Sequence, residues 1–191
     1  MSEHKNVKII SFVGLVGSGK TTAATHMADK NIPKVSFGDI IRQSMERAHI
    51  EHTPESERSF IAHLLSRGHA QFIEQHTLKH FYRLVEAGQR RIITDGSSSL
   101  EEYRALLSAF PGSVTTIALV TSKHLRYQRL EKRTHHPLTR TEAVARDIAE
   151  TEHEYKAAPI ALADHYIINN GSKEDLYSQL DQLIHTLDFI E

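Results

Sequence analysis

The 191-residue chain contains no cysteine, which excludes disulfide bonds, cysteine-ligated zinc and cysteine nucleophiles. It has no apolar run near the roughly 20 residues that a transmembrane helix needs. Its first residues, MSEHKNVKIISF, lack the long apolar stretch of a secretory signal peptide. These absences predict a cytoplasmic protein with no membrane partner.

An excess of charge of either sign is also missing. The chain has 23 Lys and Arg against 24 Asp and Glu, and its formal net charge is -1. Without a global positive field, we expect no binding to nucleic acid, and any anion site must be local. At about 150 residues per domain, the length predicts a single domain over residues 1–191. We expect a monomer or a homodimer, and the sequence does not distinguish the two.

Short β-rich runs alternate along the chain with longer helical patterns. The runs show little polar alternation, which is typical of strands covered on both faces. The five candidate strands are Val7–Val13, Lys34–Phe37, Arg91–Thr94, Ser113–Val120 and His165–Asn169. This order predicts an α/β fold, with a parallel sheet inside a three-layer α/β/α sandwich.

Helical patterns fill the intervals between these strands. The region 55–87 is expected to form two helices broken near Gly68, and Ser172 with Asp175 predicts a capping box for the last helix. The other expected helices are Lys20–Lys30, Asp39–His49, Leu100–Phe110, Ser122–Arg133 and Arg140–Ala157.

The strongest motif follows the first strand. Residues 14–21 read GLVGSGKT and match the full G-x-x-x-x-G-K-[ST] phosphate-loop pattern between a strand and a helix. Such a loop aims backbone N–H groups at phosphates, while Lys20 reaches the β- and γ-phosphates and Thr21 ligates Mg²⁺. The predicted cofactors are ATP and Mg²⁺, and the alternative is a glycine-rich turn that binds nothing. The expected ATP-binding residues of the loop are Gly14, Gly17, Ser18, Gly19, Lys20, Thr21 and Thr22.

A magnesium site also needs a carboxylate at the end of a neighbouring strand. Asp95 follows the strand at 91–94, so we expect it to join Thr21 as a metal ligand and to face the substrate. The alternative is an ordinary turn, because Asp-Gly is a common turn pair.

These features together resemble the nucleoside monophosphate kinase superfamily. The resemblance rests on the phosphate loop, on VSFGDIIR at 35–42, on HTPE at 52–55, on DGSSSLEEYRAL at 95–106 and on IALADHYIINNGSKEDL at 160–176. The nearest group is the archaeal-type dephospho-CoA kinase-like, or nucleotide kinase-like, proteins. The resemblance implies a P-loop NTPase fold with strand order 2-3-1-4-5, a helical acceptor-binding insertion at about 38–88 and a short lid at about 133–147.

The same resemblance implies roles for particular residues. Asp39 and Arg42, in a G-D-x-x-R element, would bind a nucleotide-like acceptor, unless Asp39 is a helix N-cap and Arg42 a surface charge. Asn169 and Gly171 would belong to a loop that runs past the adenine ring, unless they form an ordinary turn. The group usually has an arginine shortly after Asp95-Gly96, whereas this chain has Ser97, Ser98 and Ser99.

Five arginines occur within 21 residues, between Arg126 and Arg146. Phosphoryl transfer needs positive charge around the migrating group, and the resemblance gives that task to this region. The alternative is a solvated helix face paired with glutamates. The expected catalytic residues are Lys20, Arg129, Arg133, Arg140 and Arg146, of which Arg129 would also cover the ATP.

The 14 histidines include one pair at helical spacing, His76 and His80, which could share a metal ion. No third ligand stands at a motif spacing, so scattered surface histidines are the favoured interpretation.

The resemblance implies a small-molecule kinase that uses ATP and Mg²⁺ to phosphorylate a nucleotide-like acceptor. Two other classes of function are alternatives to it. One is an NTP-hydrolysing switch or assembly factor, although the guanine-reading N-K-x-D of GTPase switches is absent. The other is a degenerate kinase that binds nucleotide without turnover, for which the Ser97–Ser99 departure is the supporting feature.

Overall fold

A computed structural model describes residues 6–67, 69–95, 99–134 and 136–190. Five parallel strands form one sheet in the order β2-β3-β1-β4-β5, as the resemblance implied. The strands are β1 (Lys8–Val13), β2 (Lys34–Ser36), β3 (Arg91–Asp95), β4 (Val114–Val120) and β5 (His165–Ile168).

Helices cover both faces of this sheet. Residues 69–86 are continuously helical, but a π-helical turn at Ile73–Leu78 separates α4 from α5. The helices are α1 (Lys20–Ala28), α2 (Phe37–Arg47), α3 (Pro54–Arg67), α4 (His69–Phe72), α5 (Lys79–Glu86), α6 (Leu100–Ala109), α7 (Lys123–Glu131), α8 (Arg140–Glu152), α9 (Ala157–Ala161) and α10 (Lys173–Thr186).

Neighbouring residues of the central strand point to opposite faces and enter different cores. Ile9 packs with α2, α5 and α6, whereas Ile10 packs with α1 and α10. Both side chains are fully buried, which explains why the strand lacks polar alternation. The three-layer α/β/α sandwich is therefore confirmed.

Several predicted boundaries were wrong. The second helix begins at Phe37 rather than Asp39, because the Ser36 side chain accepts a hydrogen bond from the Asp39 N–H and is the N-cap. The alternative role of Asp39 as N-cap is thereby excluded. The helix predicted over 140–157 ends at Glu152, and α9 follows as a separate turn. The predicted break at Gly68 lies outside the described residues.

The predicted capping box of α10 is confirmed. Ser172 Oγ accepts from the Asp175 N–H, and the Asp175 carboxylate accepts from the Ser172 N–H. Among the described residues, no helix is both long and apolar enough to cross a membrane.

Candidate functional site

The phosphate loop connects β1 to α1 at the carboxyl edge of the sheet. Gly19 has a φ of 103° and lies directly before α1. A β-carbon at Gly19 would collide with the Asn169 side-chain amide, and one at Gly14 would lie 2.6 Å from the Leu119 carbonyl oxygen. Glycine is therefore required here both for its conformation and for the close approach of neighbouring chains.

A cavity of about 860 Å³ opens over this loop, and we call it the nucleotide cavity. It brings together most of the residues predicted to bind ATP, since Gly17, Gly19, Lys20, Thr21, Thr22, Arg129, Asn169 and Gly171 all line it. The other two predicted loop residues, Gly14 and Ser18, are instead buried within the loop. Three basic residues add positive charge to its rim, namely Lys132, Arg133 and Lys173.

Lys20 folds back over its own loop. Its ammonium donates to the carbonyl oxygens of Gly14, at 2.7 Å, and Leu15, at 3.2 Å. Burial lowers the pKa of Lys20 to about 8, while the nearby Glu150 carboxylate acts in the opposite direction. The ammonium is therefore held at the phosphate loop by two of its carbonyl oxygens, and it borders both cavities described here.

The predicted metal ligands lie next to each other. The Thr21 hydroxyl donates to Asp95 Oδ1 at 3.3 Å, across the gap between α1 and the end of β3. One hydroxyl and one carboxylate fit Mg²⁺, which usually takes its remaining ligands from phosphates and water. Among the described residues, no group of three His, Asp or Glu side chains could hold a metal, which also disfavours a histidine site at His76 and His80.

A second cavity of about 380 Å³ lies on the other side of Lys20 and Thr21, and we call it the acceptor cavity. One wall is apolar and is formed by Phe37, Ile41, Ile61 and Leu64. Charged and small polar residues form the rest, and the charged ones include Asp39, Arg42, Asp95, Arg146 and Lys156. The predicted substrate residues Asp39, Arg42 and Asp95 thus line one cavity, and Arg42 forms an ion pair with Asp39.

The structure separates the predicted arginines. Arg129 lies in the nucleotide cavity, where it donates to Thr121 Oγ1 and to the Gly171 carbonyl, both at 3.4 Å. Arg133 lines the same cavity, whereas Arg146 lines the acceptor cavity. Arg140 instead lines a depression beside Lys123 and other residues of α7. The four predicted catalytic arginines therefore divide over three places.

Asn169 stabilises the phosphate loop through hydrogen bonds. Its side-chain amide donates to the Ser18 carbonyl at 2.8 Å, and Thr121 Oγ1 donates to the carbonyls of both Ser18 and Asn169. Asn169 is 4% exposed and borders the nucleotide cavity, so its place beside the adenine ring stays a prediction. Its observed contacts position the phosphate loop.

Sequence reasoning missed the ion pair that anchors the loop to α7 and α8. Arg126 donates to both carboxylate oxygens of Asp147 at 2.7 Å and to the Val16 carbonyl at 3.1 Å. Tyr127 completes the group by donating to Asp147 at 3.0 Å. The two partners lie 21 residues apart, a separation that has no signature in a helical pattern.

The sequence analysis also missed a role for Glu150. This residue is 2% exposed and lies against the loop. It accepts from the Val16 N–H at 2.9 Å and from Lys156 at 2.8 Å. Burial alone would raise the pKa of Glu150, but Lys156 and Lys20 beside it lower that pKa to about 2. Its i, i+4 spacing from Arg146 was the available signal in the sequence.

Some predictions lie outside the described residues. These are the positions after Asp95, namely Gly96, Ser97 and Ser98. Ser99 is described, and it is the N-cap of α6 in a capping box with Glu102. Its hydroxyl accepts from the Glu102 N–H, which explains a serine at that position.

Comparison with solved structures places the chain in the P-loop kinase fold. The superposition with TT1252 from Thermus thermophilus has a TM-score of 0.61 at 19% identity and covers 96% of this chain and 99% of that one. The shikimate kinase from Bacteroides thetaiotaomicron gives a TM-score of 0.56 at 17% identity, covering 95% and 98% of the two chains. At such identities the likeness concerns the fold alone.

Sequence comparison gives closer relatives. The family described as "AAA domain" matches residues 9–158. A UPF0200 protein of Thermococcus sibiricus is 31% identical over 182 residues, covering 94% of this chain and 95% of the relative. Another, from Pyrobaculum aerophilum, is 30% identical over 182 residues and covers 93% and 97%. The chain therefore belongs to this AAA domain family and to the UPF0200 proteins.

Proposed function

We propose that the protein is an ATP- and Mg²⁺-dependent kinase that transfers the γ-phosphoryl group to a nucleotide-like small molecule. The observation that carries the proposal is the arrangement of two cavities that meet at Lys20 and Thr21. A nucleotide in the larger cavity would direct its terminal phosphate toward the smaller one. Such an arrangement suits transfer between two bound molecules, because it holds both reactants at a shared boundary.

The reaction is an in-line displacement at the γ-phosphorus. An acceptor oxygen forms the new P–O bond, and the bond to the β-phosphate oxygen breaks, releasing ADP. Lys20, Arg129 and Arg133 supply positive charge to the phosphates as negative charge moves to the leaving oxygen. Mg²⁺ held by Thr21 and Asp95 would add charge neutralisation.

The acceptor cavity suggests the class of acceptor. Its apolar wall suits a flat apolar group such as a base, and Arg42 can bind a phosphate through two parallel hydrogen bonds. Asp39 can accept a hydrogen bond from an acceptor hydroxyl. Both a nucleoside monophosphate and a dephospho-CoA-type acceptor fit this description. We also assign residues 38–88 as the acceptor-side insertion and residues 133–147 as a short lid.

Screening acceptors for ATP consumption tests this proposal. ADP formation is measured with nucleoside monophosphates, deoxynucleotides, nucleosides and dephospho-CoA, and with Lys20→Met as the blank. We expect one acceptor class to raise ADP formation at least about tenfold over ATP alone. ADP formation that is equal with and without every acceptor would instead favour an ATP-hydrolysing switch or assembly factor.

A further inference from the structure

One buried carboxylate touches both sides of the candidate site. Glu150 Oε2 accepts from the Val16 N–H in the phosphate loop at 2.9 Å. Its other oxygen, Oε1, accepts from Lys156 Nζ at 2.8 Å and from Arg146 Nε at 3.3 Å. Val16 lines the nucleotide cavity, whereas Arg146 and Lys156 line the acceptor cavity. Glu150 is therefore a direct link between the two cavities.

Glu150 shares its cationic partners with a second carboxylate. Glu154 pairs with the same two cations, at 2.8 Å from Lys156 and 3.6 Å from Arg146. Lys20 adds a third positive charge near Glu150, and of the two carboxylates it is Glu150 that has a hydrogen bond to the loop. A buried carboxylate with charged partners on one oxygen and a backbone donor on the other is held firmly, because leaving any partner unpaired is costly.

A second side chain also holds Val16 of the loop. The Val16 carbonyl is already held by Arg126, which is itself held by Asp147 of α8. What Glu150 adds is the connection to Arg146 and Lys156. Those two cations face the place where the acceptor would receive the phosphoryl group.

We propose that Glu150 is a positioning residue for phosphoryl transfer. It fixes the position of the phosphate loop relative to the acceptor-side cations Arg146 and Lys156. The proposal rests on the kinase function proposed above. Transfer is sensitive to the relative placement of its two reactants, and preorganised charges at the boundary need no rearrangement as the reaction proceeds.

The test compares Glu150→Gln with two matched variants. Glu154→Gln alters the same cations without touching the loop, and Glu152→Gln alters an exposed residue of the same helix. Three quantities are measured: hydrogen exchange of the Val16 amide by NMR, the Kd of ADP by calorimetry, and kcat with the acceptor found by screening.

We expect Glu150→Gln to speed Val16 exchange at least about threefold, because a neutral amide holds an N–H less strongly than a carboxylate does. At pH 6.5, well below the pKa of Lys20, ADP affinity should stay within about threefold, while kcat falls at least about tenfold. Glu154→Gln should leave Val16 exchange unchanged, and Glu152→Gln should change none of the three.

Two results would overturn the proposal: unchanged Val16 exchange in Glu150→Gln, or equal factors of loss in ADP affinity and kcat. The second would mean a merely structural role. Absence of turnover in the wild-type protein would count against the kinase function. The hydrogen exchange of Val16 and the Kd of ADP would still test whether Glu150 positions the loop. Should Glu150→Gln fail to fold, Lys156→Met tests the same positioning through the loop. Val16 exchange should then rise at least about threefold, because Glu150 loses its nearest charged partner. Unchanged Val16 exchange in Lys156→Met would overturn the proposal.

Discussion

Lys20 shows how one side chain responds to its surroundings. Its ammonium lies among backbone carbonyls, and burial lowers its pKa to about 8. The charged form binds phosphate, so this lysine loses binding strength at a pH where an ordinary lysine would still be protonated. The lowered pKa gives nucleotide binding a specific dependence on pH.

We expect ADP affinity to be constant well below the pKa of Lys20, which is about 8, and to fall as pH rises through that value. As pH rises through the pKa of Lys20, binding must recover a proton, so the affinity drops by at most about tenfold per pH unit. Calorimetric titrations between pH 6.5 and 9.5 measure this dependence. Lys20→Met serves as the control, and its weaker affinity should stay level over the same range. A level wild-type profile would contradict the placement of Lys20 at the phosphates.

Arg133 distinguishes a kinase from a nucleotide-binding module. It lines the nucleotide cavity at its rim, close enough to affect the pKa of Lys20. In a kinase, charge builds up on the migrating group after binding, so the arginine stabilises the transition state more than the bound ground state.

Arg133→Ala should therefore lower kcat by about two orders of magnitude and weaken ATP binding only about threefold. Arg104→Ala, on the exposed side of α6, is the control and should match wild type. Steady-state kinetics and ATP titration give the two numbers. Equal losses of kcat and ATP affinity would identify Arg133 as a simple binding contact. No loss in either would mean that Arg133 is a solvated surface residue.

Residue identities could be predicted where chemistry is local. The phosphate loop was readable because its glycines, lysine and threonine are adjacent in sequence. The contact from Glu150 to Val16 was not, because the two residues are 134 positions apart and meet only through folding. The hydrogen bond from the Asn169 amide to the Ser18 carbonyl was not predicted either, while the place of Asn169 beside the adenine ring stays a prediction.

At the scale of elements, α8 supports the site through two separate side chains. Asp147 holds Arg126 of α7, and Glu150 holds the loop and the acceptor-side cations. The Arg126 side chain is 6% exposed and that of Asp147 is 15% exposed. A pair this buried is costly to break, because the remaining charge loses its partner without regaining water.

Asp147→Ala should lower the free energy of unfolding by about 3 kcal/mol. Urea denaturation measures the change, and Glu152→Ala on the same helix provides the control, with an expected loss below about 0.5 kcal/mol. If Asp147→Ala cost less than about 1 kcal/mol, the pair would not be the main connection between α7 and α8.

Element type was predicted better than element boundary. The central strand was found because residues on both of its faces are buried, and the edge strands β2 and β5 were found from short β-rich runs although one face of each is exposed. Helix α10 was found from its cap and apolar stripe. The π-helical turn at Ile73–Leu78 was missed, because an inserted residue hardly disturbs a helical pattern of polar and apolar residues. The end of α8 at Glu152 was also missed, since no glycine or proline marks it.

At the scale of the whole molecule, strand order came from resemblance rather than from any local pattern. Strand β1 lies between β3 and β4, so its carboxyl end, which carries the loop, opens at the centre of the sheet. The strand ends of β3 and β4 lie on either side of it, which is where α/β proteins place their ligands. The two cavities follow from this topology, but their volumes and linings depend on long-range packing.

The central claim is that a phosphoryl group moves from ATP to a small molecule in the acceptor cavity. Phosphorus NMR of a reaction mixture tests it most directly, because the spectrum separates a phosphorylated acceptor from inorganic phosphate. With ATP, Mg²⁺ and the acceptor found by screening, we expect a new phosphoester or phosphoanhydride signal that grows in step with ADP and is absent with Lys20→Met. Growth of inorganic phosphate alone, in step with ADP and unaffected by any acceptor, would contradict the account.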